Sequence, residues 1–294
     1  MSTGETKEIT TATTALDADG GGGHDELSLL ALRLVSHHKR MSLLQRIFSF
    51  HETKSPKEYI NLRSSSKLFH SVLRPPPLWT SFPHSNHATL QSLVDRLEEL
   101  RGDEKSSGNV PSVLFIDEGI YGGEGDYVKV NLPLSMYGAG RGKTTLVGIG
   151  LQIQGKKIDG IIEIEDLTIK GGSECGLWVC YGMNVILRRI SVEDCLYQGV
   201  VATEADISCD DLQVIGCHDS GVRAEENTTI TLSGQGTSIQ GNGTDGCNNR
   251  YGLDASSTSS KLKLAAPLTK EEISTNNSGG GNWGGEGTIE QVSK

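Results

Sequence analysis

Aromatic side chains are scarce in this 294-residue chain, at 5% of residues, with 3 Trp among them. A surface that grips a long sugar chain needs exposed rings, and the repetitive half of the sequence offers few beyond Trp178, Tyr181 and Tyr197. Apolar runs are short as well. None approaches the ~18 residues a membrane-crossing helix needs, so no membrane partner is predicted. The stretch Met1 to Asp25 is rich in Thr, Asp and Gly and holds no apolar core of the kind a secretory leader carries. It reads as a disordered tail over 1–26, and the protein as intracellular, cytoplasmic or nuclear. On that reading the sequons at Asn227, Asn242 and Asn276 are incidental. The cysteines Cys175, Cys180, Cys195, Cys209, Cys217 and Cys247 form no Cys-x-x-Cys pair and no Cys/His zinc spacing. They read as reduced thiols packed like small apolar groups, and no metal or cofactor is predicted.

Positive charge is also in deficit, 27 Lys and Arg against 37 Asp and Glu, a net −10. So acidic a chain is a poor match for nucleic acid. The deficit is uneven. Residues 28–101 hold eleven basic against five acidic residues, whereas residues 102–294 hold 15 against 26. That change of sign marks a domain boundary near residue 102.

What the chain has in quantity is glycine, 37 residues, and repetition. Glu165-Asp166-Leu167-Thr168-Ile169 is echoed 23 residues on by Arg188-Arg189-Ile190-Ser191-Val192, and 22 further on by Asp210-Asp211-Leu212-Gln213-Val214. Matching turns lie between them, Gly176-Leu177-Trp178-Val179, Gly199-Val200-Val201-Ala202 and Gly221-Val222-Arg223-Ala224. A period in the low twenties signals a solenoid whose repeats bury a core by stacking. Within each copy the apolar residues alternate, which is strand spacing. A coil of short strands fits, one rung per repeat.

The stretch from about Pro111 to the C-terminus resembles the right-handed parallel β-helix of pectin-lyase-like proteins. Tyr121-Gly122-Gly123, Val128 to Gly140 and Thr144-Thr145-Leu146-Val147-Gly148 are similar to the opening rungs of that fold. The resemblance implies a mainly β architecture over 110–293. It carries no particular activity, because such coils serve as enzymes, binding modules and scaffolds alike.

The region ahead of the coil is helical in pattern. Leu27 to Val35 is a short apolar run, and Leu43, Leu44, Ile47 and Phe48 mark one face of a helix. Pro56 interrupts, Tyr59 to Leu73 resumes the pattern with Leu68 and Phe69, and Pro75-Pro76-Pro77 leads into Leu78-Trp79. That order resembles an F-box, a helical motif that docks onto the Skp-type adaptor of cullin-based ubiquitin ligases. The resemblance implies that Leu43, Leu44, Ile47, Phe48, Leu68, Phe69, Leu78 and Trp79 face the adaptor or brace the helices that do. The usual Leu-Pro opening is replaced by Arg40-Met41-Ser42, and the acidic residue expected soon after it is absent. Thr89 to Leu100 follows as the most regular helix: Thr89 as N-cap, with Leu90, Leu93, Val94, Leu97 and Leu100 on one face. It is expected to cap the open end of the coil. The helical part, F-box-like domain plus capping helix, spans 27–101.

Several motifs invite chemistry. Gly138-Ala139-Gly140-Arg141-Gly142-Lys143-Thr144-Thr145 evokes a phosphate loop, but its spacing is wrong and a strand follows where a helix is required. Glu165, Asp166, Arg188, Arg189, Asp210 and Asp211 occupy equivalent places in successive rungs, roughly 4.8 Å apart if the rungs pair in parallel. They are expected to form an outer charge ladder of alternating sign, a structural device rather than the carboxylate pair of a glycosidase. His218 reads as a turn residue, and Cys195 stacks with Cys217. The function expected is therefore non-catalytic. The F-box-like region links the chain to an SCF-type ubiquitin ligase, and the β-helix presents a surface to an unknown protein or glycan. The alternatives are a β-helical carbohydrate-binding or scaffold protein without a ligase link and, behind it, a polysaccharide lyase or hydrolase.

Overall fold

Alternating apolar residues can share one interior only if the chain keeps turning the same way, and here it turns at three corners in every rung. The computed structural model describes residues 79–102, 110–123, 125–155 and 160–293. The expected tail, the F-box-like helices and Leu43, Leu44, Ile47, Phe48, Leu68, Phe69 and Leu78 lie outside the described residues. What is described is a parallel β-solenoid with three walls of nine, seven and seven strands. One rung runs through Ile161–Glu165 in the first wall, Thr168–Lys170 in the second and Leu177–Cys180 in the third. The next repeats this with Asn184–Arg188, Ser191–Glu193 and Val200–Thr203. The rung thus holds three strands. The Gly-Leu-x-Val segments, expected as turns, are third-wall strands, because Leu177 and Val179 still point inward.

In-register parallel pairing stacks like on like. Ile162, Val185, Ile207, Ile230 and Leu262 form one inward column of the first wall. Ile169, Val192, Val214 and Ile239 do so in the second, and Leu177, Val200, Val222 and Leu253 in the third. All are buried. In the rungs between Ile161 and Gln240 the backbone crosses into the left-handed region at every corner. The first-to-second corner does so at Asp166, Arg189, Asp211 and Gly234, with φ of 60, 52, 55 and 85°. Asp and Gly accept that conformation readily; Arg does so at a cost. The corner into the third wall is tighter still. A side chain at Gly199 would collide with Cγ1 of Val214 and crowd the carbonyl of Gly221 at 2.7 Å. That crowding explains the glycines at the equivalent places, Gly150, Gly176, Gly199, Gly221 and Gly252.

The ends are closed by side chains. Helix α1 (Leu90–Gly102) buries Leu90, Leu93, Val94 and Leu97 against the core, and Thr89 Oγ1 accepts from Ser92 N at 3.1 Å as its N-cap. It lies along the edge strand Tyr127–Val130 of the third wall. There Gln91 Oε1 accepts from Lys129 N at 2.6 Å and Glu98 Oε1 from Asn131 N at 2.8 Å. Amides that would otherwise leave a sticky strand edge are thereby consumed. The solenoid also starts earlier than the sequence pattern suggested. Trp79–Phe82 pairs in parallel with Val113–Ile116 and belongs to the first wall, so α1 is inserted between two of that wall's strands. At the C-terminal end, Ser274 to Gly287, read from sequence as a loop, contains the strands Ser274–Thr275 and Gly281–Gly285. They follow the short helix α2 (Lys270–Ile273), and Trp283 packs on the core with Lys270 Nζ 4.9 Å above its ring.

Gly199→Ala should destabilise the solenoid by about 1–3 kcal/mol, seen as a lower urea midpoint. Adding Val214→Ala should return part of that loss, since it removes one of the two colliding groups.

Candidate functional site

Three polar assemblies lie on the walls. The first is the charged rows singled out in the sequence. Register places Glu165 beside Arg188 and Arg188 beside Asp210, with Asp166, Arg189 and Asp211 following at the left-handed corner. Arg188 binds Glu165, and Glu163 at 3.2 Å. Arg189 grips Asp166 with two bonds of 2.6 and 2.9 Å and reaches Glu165 Oε2 at 2.6 Å. These bonds hold the Arg189 guanidinium above its ordinary pKa: the Asp166 bond first, with burial opposing. Glu165, its side chain 6% exposed, is therefore bridged by two guanidiniums.

The upper step of the ladder differs from the expectation. Among the described residues Asp210 accepts from Ser233 Oγ at 3.0 Å, and Asp211 Oδ1 caps the next corner through Gly236 N at 2.7 Å. Both guanidiniums turn down the wall because three carboxylates, Glu163, Glu165 and Asp166, wait there.

The second assembly runs along the corner into the third wall. Cys175 Sγ approaches Gln198 Oε1 at 3.0 Å, and Gln198 Nε2 donates to Asp219 at 2.9 Å. Asp219 faces Arg250 Nε at 3.1 Å; Ser220 Oγ donates to Asp254 at 3.0 Å, which also takes Arg223 at 2.8 Å. Burial raises the Asp254 carboxyl pKa, and Arg223 and Ser220 oppose it. Burial also lifts the Cys175 thiol to about 11. Cys217 is pushed well up by its contact with Cys195, then by burial. Asn242 and Asn277 continue that stack; Asn242 Oδ1 accepts from Cys217 N at 3.0 Å. The network is packed shut and ties rungs together.

The third assembly is concave. Between α1 and the third wall an open groove of about 720 Å³ is lined by Trp178, Tyr127, Lys129 and Gln152 from the strands. Asp126 and Glu174 line it from the corners, and Gln91 and Asp95 from the helix. Lys129, Gln152 and Trp178 are one outward row in register. The rings of Trp178 and Tyr127 stand 6.2 Å apart at 53°. Tyr127 is fixed by its hydroxyl, which accepts from Cys175 N at 3.0 Å; burial, then Cys175, raises its phenol pKa. Asp126 is fixed by Ser173 Oγ at 2.7 Å. A partly exposed ring edged by acceptors suits ligand binding. Trp178 was legible in the sequence as the outward x of Gly-Leu-x-Val. Tyr127, Asp126 and Asp95 were not, because they come from other rungs and from the helix.

Of the adaptor residues expected from sequence, Trp79 alone is described. It is a wall residue whose ring meets Phe115 edge-on at 5.3 Å. The phosphate-loop look-alike spends its amides internally: Ala139 N on Thr144 Oγ1, Gly140 N on Asp166 O, Gly142 N on Thr168 Oγ1. His218 is exposed. Among the described residues no group of three or more His, Cys, Asp or Glu is placed to hold a metal, and no helix is long and apolar enough to cross a membrane.

Comparison with known proteins finds no matching family model, curated protein or solved structure.

Glu165→Gln should cost about 3 kcal/mol in urea unfolding, because it leaves two guanidiniums facing a neutral amide. Asp210→Asn, which disturbs a hydroxyl contact, should cost about 1 kcal/mol. Near neutral pH a water-soluble disulfide reagent should label exposed Cys247 ahead of the other thiols, although its contact with Asp245 raises its pKa. The buried thiols, with Cys175 protonated up to about pH 11, should react only on unfolding, and Cys247→Ser should abolish the fast phase.

Proposed function

We propose that this is a non-catalytic recognition protein whose solenoid holds its ligand in the groove beneath α1. The observation that carries this reading is the Trp178–Tyr127 pair, partly exposed in a concave surface, in a chain that otherwise uses few aromatics. Leaving a large ring part-exposed forgoes a fraction of the about 1.5–3 kcal/mol that full burial supplies, a cost that ligand binding offsets. The glycine-rich opening rungs and the three-walled cross-section support the finer fold reading, a right-handed pectin-lyase-like β-helix. In that reading the chemistry has been replaced by binding. The charged rows support it too, since their carboxylates are spent on Arg188 and Arg189.

A second element is favoured by the order of features from Met41 to Leu78. An F-box-like segment ahead of a β-helix suits an intracellular substrate receptor of an SCF-type ubiquitin ligase, with a Skp-type adaptor bound through Leu43, Leu44, Ile47, Phe48, Leu68 and Phe69. The two elements are tested separately. Co-purification with a Skp-type adaptor should be lost in Ile47→Asp/Phe48→Asp while circular dichroism stays that of wild type. A folded wild-type protein that never retains the adaptor would remove the ligase link and leave the groove reading intact. For the groove, peptide and glycan arrays should give ligands that Trp178→Ala loses by about tenfold with its melting temperature little changed. Ligands held equally by the variant would place recognition elsewhere.

A further inference from the structure

Resting on the groove as the ligand site, we propose that its occupant is a basic side chain, lysine or arginine, carried on a segment of a partner protein. The rim sets the sign. Among the described residues Asp95, Asp126 and Glu174 face a single ammonium, Lys129, an excess of two negative charges. The surrounding solenoid, residues 102–294, has eleven more acidic than basic residues and extends that field outward. The floor sets the shape. A lysine stem or a guanidinium plane lies flat on an indole, and a cation over that face is attracted by the ring quadrupole. The molecule already makes this contact at its other end, where Lys270 Nζ stands 4.9 Å over Trp283.

The edge of the wall sets the mode. The amides of Lys129 and Asn131 are occupied by Gln91 and Glu98, so an incoming segment cannot be zipped on there as another strand. Recognition is left to the side chain. A neutral sugar could stack on Trp178 and donate hydroxyls to the carboxylates but would leave their charge unbalanced, and an acidic sugar would be repelled by them.

The test uses the full-length chain and fluorescence anisotropy with labelled peptides of repeated Gly-Ser-Lys, Gly-Ser-Arg and Gly-Ser-Glu units. The basic peptides should bind and the acidic one should not, with affinity falling several-fold between about 50 and about 300 mM salt. Trp178→Ala should weaken binding about tenfold and Glu174→Gln several-fold. Lys129→Gln should tighten it, because it removes the one competing cation. Circular dichroism of each variant separates lost binding from lost fold. Basic-peptide binding indifferent to Trp178→Ala would be diffuse attraction to an acidic surface and would overturn the proposal. So would weakening by Lys129→Gln. A glycan or acidic ligand that depends on Trp178, with no basic-peptide binding, would overturn the cationic occupant while keeping the groove. A chain in which no ligand class depends on Trp178 would overturn both.

Discussion

Every rung of this solenoid depends on a backbone that bends sharply at three corners without losing vertical register. Side chains seldom adopt positive φ, yet the corners recur at Asp166, Arg189 and Asp211, at Gly171, Asp194 and Gly216, and at Tyr181, Glu204 and Asn227. Each bend costs strain of about 1 kcal/mol or more when the residue has a Cβ. In return, the next strand begins one rung-spacing above its equivalent. Where the corner residue is Arg189, the bidentate grip on Asp166 directly beneath holds it in place. The corner geometry and the stacked charges are therefore one device: charge pairing stabilises bends that the backbone alone disfavours.

A coil built this way has two open ends and exposed strand edges, and how they are closed shapes the surface available for binding. Helix α1 covers the core at one end and saturates the third-wall edge with Gln91 and Glu98. Lying beside a flat wall, the helix creates the concavity that the wall lacks. The groove is thus a by-product of end-capping, lined by Trp178, Tyr127 and three carboxylates. The far end is closed differently, by Trp283 with Lys270 above it, and α2 there is a single turn.

Much of the fold was legible because a solenoid writes its structure locally. Stacking places equivalent residues over one another, so the spacing of Glu165, Arg188 and Asp210 is itself the register. The amphipathic pattern of α1 announced both its N-cap and its buried face. The third-wall strands were misread because Gly-Leu-x-Val looks like a turn when its corner glycine is given too much weight. Trp79–Phe82 was assigned to the helical region since four residues show no repeat of their own; pairing with Val113–Ile116 makes them a wall strand.

The sequence by itself determined the repeat length, the inward columns and the rows of like residues, since these follow from chemical alternation along a chain of fixed step. The tertiary structure alone decided which charges pair. Arg188 and Arg189 turn toward Glu163, Glu165 and Asp166 and away from Asp210 and Asp211, because side-chain direction responds to the whole local field rather than to spacing. It alone decided the groove as well. Asp95 on the helix, Asp126 and Glu174 at two corners and Trp178 on the wall come together because capping an open end lays the helix across rungs far apart in the chain.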